Sequence, residues 1–172
     1  MNLRSRVIVC LCFTFLSLLS SCQTGFERLG IGNADNLRTD INKFLQKSHP
    51  FKLPEFIPSE GSENYLTQYY ATTENGVTLT LTKGNDRRER LTVEMAIDKK
   101  GNQLAVEEFI GLMSSVINRF SGFDYIEPIG EQLVMQGSSD GTMYKAERSE
   151  EGFAYGFTID LTNGYVFDVK SL

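Results

Sequence analysis

Asn75-Gly76-Val77-Thr78-Leu79-Thr80-Leu81-Thr82-Lys83 is the stretch that decides the fold. From Val77 onward, aliphatic residues alternate with threonines, the period of a strand with one buried and one wet face. Asn-Gly in front of it is a favoured hairpin turn, which makes Tyr65 to Thr73 its antiparallel partner. Gly84-Asn85-Asp86 turns the chain again, and Leu91, Val93, Met95 and Ile97 repeat the alternation. The spacing predicts an antiparallel meander.

Downstream the period lengthens. Val106, Phe109, Ile110, Met113, Val116, Ile117 and Phe120 share one helical stripe, which predicts a helix over Gln103 to Ser121. Asn102 can cap its start and Gly122 its end. Further strands are expected at Gln132 to Gln136, Thr142 to Ser149, Phe153 to Leu161 and Tyr165 to Lys170. The last two are joined through Asn163-Gly164, a second hairpin signal.

Upstream, Leu37, Ile41, Phe44 and Leu45 mark a shorter helix between Asp35 and Ser48, with Asn33 or Asp35 as N-cap and Pro50 as stop. Pro50, Pro54 and Pro58, with Phe51, Phe56 and Ile57 among them, form an extended, partly packed connection. Helices and strands in segregated runs define an α+β class. The expectation is an antiparallel sheet of about six to seven strands, a long amphipathic helix packed on one face and a shorter N-terminal helix. This element order is similar to that of cystatin-like and other α+β modules of exported bacterial proteins, a likeness that transfers no functional residue.

The first residues carry a different message. Arg4 and Arg6 precede an apolar run from Val7 to Leu19, which ends in Leu19-Ser20-Ser21-Cys22. That is the layout of a secretory signal with a cysteine placed just after the cut. A transmembrane anchor needs about 20 apolar residues, whereas this run is shorter and interrupted by Cys10, Cys12, Thr14 and Ser17. The motif resembles the lipobox of bacterial lipoproteins. The resemblance implies that residues 1–21 are a signal peptide, that Cys22 is lipidated, and that the protein sits in the cell envelope. Gln23 in place of an aspartate implies the outer membrane in a diderm cell. Residues 22–32 then form a lipidated tether, and residues 33–172 a single domain.

Removal of residues 1–21 leaves 151 residues, with 15 basic against 22 acidic side chains and a net charge of −7. Such a surface repels nucleic acid, and the domain as a whole repels anionic lipid. The expected membrane contact is therefore the N-terminal lipid. With Cys10 and Cys12 lost and Cys22 acylated, the domain has neither disulfide nor thiolate nucleophile.

Catalytic motifs are short of parts. His49 is the single histidine, beside Pro50 at a helix end, and zinc of the His/Cys kind lacks ligands. Gly137-Ser138-Ser139-Asp140-Gly141 has the letters of a nucleophile elbow, but a strand follows it and no histidine does. Glu107-Glu108 suits the first turns of a helix. No cofactor motif is present. The sequence leads to a non-enzymatic envelope module that binds another protein. A carrier of an apolar ligand between sheet and helix, or a carboxylate-only hydrolase, are the alternatives. Candidate partner-binding residues are Arg87, Arg88 and Arg90, a positive spot on an acidic domain suited to an anionic partner or lipid headgroup. Tyr69 and Tyr70 join them, because adjacent strand residues face opposite ways and one must meet the wet side.

Overall fold

The computed structural model describes residues 26–59, 65–120, 141–150 and 152–172. Helix α1 (Ala34–Leu45) comes first, then strands β1 (Ile57–Pro58), β2 (Tyr65–Thr72), β3 (Val77–Gly84) and β4 (Glu89–Ala96). A short 3-10 turn (Ile97–Lys99) leads to helix α2 (Gln103–Phe120), followed by β5 (Met143–Glu150), β6 (Phe153–Asp160) and β7 (Gly164–Ser171). The strands form one antiparallel sheet of seven in the order β1-β2-β3-β4-β7-β6-β5. The protein is α+β. Cys22, the strand expected at Gln132 to Gln136, the cap at Gly122 and most of the Gly137 to Gly141 turn lie outside the described residues.

The meander stands in register, with Val77, Leu79 and Leu81 opposite Met95, Val93 and Leu91. β7 then pairs with β4 through Val169, Phe167 and Tyr165, closing the two halves of the chain into one sheet. These side chains share a face and join a single buried cluster with Leu37, Ile41 and Leu45 of α1 and Ala105, Phe109, Leu112 and Val116 of α2. The Phe109 ring meets those of Phe157 and Tyr165 at centroid distances of 6.2 and 6.3 Å. Among the described residues no helix is long and apolar enough to cross a membrane.

The proline-rich connection contributes more than a spacer. Ile57 and Pro58 pair with Tyr70 and Tyr69 as a two-residue edge strand. Proline is tolerated there because an edge leaves N–H positions unused. Both Asn-Gly turns also hold one residue more than a two-residue hairpin would. Thr73 N–H donates to the Val77 carbonyl across Glu74-Asn75-Gly76, and Gly76 takes φ +87°. Leu161-Thr162-Asn163 forms the other, with Asp160 opposite Gly164. Asp160 accepts from the Thr162 and Asn163 backbone N–H groups at 2.8 and 3.0 Å and from the Asn163 amide at 2.7 Å. These bonds, the Asn163 side chain first, hold its carboxyl below the usual carboxylate range.

Glu108 is buried rather than solvated at the helix start. It accepts from the Thr73 hydroxyl and, at 2.8 Å, from the Asn75 amide, so α2 is clamped to the tip of the β2–β3 hairpin. Asn102 caps α2 at Leu104 N–H, 3.0 Å, and its amide also reaches Asn75. Glu108→Ala leaves the Thr73 and Asn75 donors buried without their acceptor, an expected loss of about 2 kcal/mol. The urea midpoint should fall with unchanged slope. An unchanged midpoint would mean the clamp contributes nothing.

Candidate functional site

Phe26, Leu29 and Ile31, at the start of the described residues, are buried in the core. Three separate contacts hold this stretch. Phe26 sets its ring edge-on to Tyr69, at 6.3 Å and 67°. Leu29 N–H donates to Glu89 Oε2 at 2.8 Å. The Gly30 carbonyl accepts from Arg119, whose guanidinium also pairs with Asp40 of α1 at 2.9 Å. Residues 26–32 therefore form a strap laid across the fold and fixed to β2, β4 and both helices.

Glu89 is the unexpected member. Inside Arg87-Arg88-Glu89-Arg90 it looks like one charge of a solvated run, yet it is only 1% exposed. One carboxylate oxygen holds the strap, and the other lies 3.8 Å from Lys83 Nζ. A buried carboxylate persists only where donors or cations meet both oxygens. The signal that could reveal it is β4's alternation: Glu89, Leu91, Val93 and Met95 share a parity, so Glu89 points to the core side.

Beside the strap is an open cleft of about 400 Å³ lined by Glu27, Arg28, Leu66, Lys83, Arg87 and Glu89. Arg87 sits in the β3–β4 turn with φ +62°, a left-handed conformation unusual for a side-chain-bearing residue. That conformation places it on the same cleft as Arg28. Among the described residues, neither Arg28 nor Arg87 has a carboxylate within ion-pair distance. The structure thus separates the arginines. Arg88 pairs with Asp86 at 3.5 Å in its own turn. Arg90 points to the other face of the sheet and pairs with Asp168 at 3.2 Å.

Tyr69 and Tyr70 part in the same way. Tyr69 stands opposite Leu81 on the core side against Phe26. Tyr70 stands opposite Thr80 on the far face, next to the exposed Ile57. The register aligns Ile57, Tyr70, Thr80, Thr92, Asp168, Gly156 and Glu147 in one row across the sheet. Side chains along that row are mostly short, and Asp168 lies flat over Gly156, where an added Cβ would come within 2.6 Å of its oxygen. The rows on either side carry exposed Thr72, Arg90, Glu94, Lys145 and Lys170. This far face is broad and mostly polar, with a cleft of about 340 Å³ at its Glu94, Val166 and Thr158 margin.

The residues suspected of chemistry do not converge. His49 packs its ring against Phe51 at 5.9 Å, and both sit over Gly111 of α2, which leaves them room by lacking a Cβ. Glu107 accepts from Gln103 within the helix. Among the described residues no three His, Cys, Asp or Glu side chains gather to hold a metal ion. In comparisons with known proteins, no family model, no curated protein and no solved structure matches this chain.

Proposed function

We propose that this is a lipid-anchored protein of the bacterial cell envelope whose domain is a non-enzymatic module for binding another protein. The observation that carries the proposal is the strap. Only Gln23, Thr24 and Gly25 separate Cys22 from the buried Phe26, a reach of at most roughly 14 Å. A domain so closely tethered works at the bilayer surface rather than at a distance. In this reading α2 is the amphipathic cover of the sheet's apolar face, α1 lies beside it, and the far face is left for a partner. A broad, mostly polar sheet face with a tyrosine at one margin suits protein contact better than enclosure of a small molecule.

Photo-crosslinking tests the binding role. A photoreactive side chain at Thr80 or Glu94, on the far face, should give one discrete adduct in the native envelope. The same group at Lys47, exposed just after α1, should give none. Equal labelling from both places, or none from the far face, would contradict the role assigned to it.

A further inference from the structure

We infer that the cleft formed by Arg28, Lys83 and Arg87 docks on anionic phospholipid headgroups of the membrane that holds the lipid anchor. The inference rests on the lipidation of Cys22 proposed above and adds a second, electrostatic contact with an orientation. Three observations support it. The cleft is lined by Glu27 and Arg28, which follow Cys22 by only five and six positions in the chain. The tether spans at most roughly 14 Å, so it keeps this corner where it can approach the bilayer to within the screening length of about 8 Å at physiological salt. Charges at this corner thus feel the bilayer while those at the far end of the domain do not.

The chemistry fits the position. Two arginines without carboxylate partners among the described residues face the cleft, and a guanidinium pairs with phosphate oxygens through two parallel bonds. Lys83 adds a third cation, partly committed to Glu89. Glu27 stands exposed on the rim and offsets one charge. Leu66, 57% exposed, gives the same cleft an apolar lip at headgroup level. The rest of the domain is acidic and is pushed from an anionic surface, so repulsion and attraction turn the same corner inward.

The test uses the full acylated protein reconstituted into vesicles of phosphatidylcholine alone or with added phosphatidylglycerol. With Cys22 acylated, a single new cysteine accepts a fluorophore cleanly. Asn85→Cys places it in the β3–β4 turn beside the cleft, and Glu74→Cys places it at the opposite end of β3, roughly 26 Å away. A headgroup-level quencher should reach the probe at position 85 in vesicles with phosphatidylglycerol and much less without it. The probe at position 74 should stay unquenched in both. Raising salt from 0.1 to 1 M cuts the screening length from about 10 to about 3 Å and should remove the difference.

Each cation removed should lower the docked-to-undocked ratio on the order of fivefold. Arg28→Gln with Arg87→Gln should therefore reduce it roughly twenty-five-fold, while the lysine pair at both positions retains most of it. Both side chains are exposed, so an unchanged melting curve will show that the fold is intact. Quenching at position 85 that is equal in both vesicle types, or indifferent to the double glutamine variant, overturns the inference. Its loss to inorganic phosphate at constant ionic strength would assign the cleft to the free anion and overturn it also. Protein that floats with both vesicles yet shows no charge dependence refutes this inference alone. Protein without acyl mass that floats with neither refutes the anchor as well.

Discussion

Cys22→Ala is expected to abolish acylation and leave the protein uncleaved or released from the membrane, a change from essentially all to almost none of the chain in the acylated pool. In the proposed reading the lipid attaches through the Cys22 sulfur, which alanine removes. A double arginine contact of the kind proposed for the cleft is too weak to hold a soluble domain alone, since stable membrane residence takes two signals. Metabolic labelling with a radioactive fatty acid, followed by fractionation, reads the result. The folded domain should be unaffected, because the buried core is built from Phe26 and residues after it. Labelled protein from the alanine variant would remove the lipid assignment.

Gly164→Ala is the second large effect, and it acts on the fold. Gly164 opens β7 at φ +138°, and an added Cβ would stand 2.2 Å from the Met95 carbonyl and 2.9 Å from the Ala96 Cα. Those atoms belong to the backbone of β4, which pairs with β7 at the centre of the sheet. They cannot move without opening the junction of the two halves. Overpacking and backbone strain together should cost about 4 kcal/mol, a large part of a typical stability of about 5–15 kcal/mol. The melting temperature should drop by roughly 10 °C or more. Gly152→Ala is the control: φ is +85° but nothing lies within 4 Å of the new Cβ, so only the strain, about 1 kcal/mol, is expected. Similar melting temperatures for the two variants would show that the close approach to β4 does not matter.

Much of this architecture follows from local pattern. The alternation in Val77 to Lys83 and Leu91 to Ile97 assigns faces without any knowledge of partners, because side chains alternate in a strand. Asn102 and Asn33 cap helices through short-range geometry, their side-chain oxygens accepting from N–H groups two or three residues on. What escapes the sequence is contact between distant segments. The pairing of β4 with β7 joins residues far apart in the chain. A two-residue edge strand such as Ile57–Pro58 is too brief to show any period. The extra residue in each Asn-Gly turn depends on side-chain bonds, from Thr73 in one case and Asp160 in the other.

The site was legible in part, and for related reasons. A run of four charged residues cannot say which of them is buried, and Glu89 is buried because the strap's Leu29 N–H and Lys83 meet it there. Arg87, Arg88 and Arg90 look like one patch in the sequence, but a turn and a strand point them in three directions. Arg28, which joins Arg87 on the cleft, lies in a segment with no periodicity to place it. Phe26, Leu29 and Ile31 did carry a signal, since apolar residues are out of place in a free tether. Their burial packs residues 26–31 against the domain.

The most direct test is the mass of the N-terminal peptide of the protein isolated from its native envelope. A peptide that starts with the sulfur-acylated cysteine and continues Gln-Thr-Gly-Phe is the predicted result. A peptide that starts upstream of position 22, or one that carries no fatty-acid mass, would contradict the account.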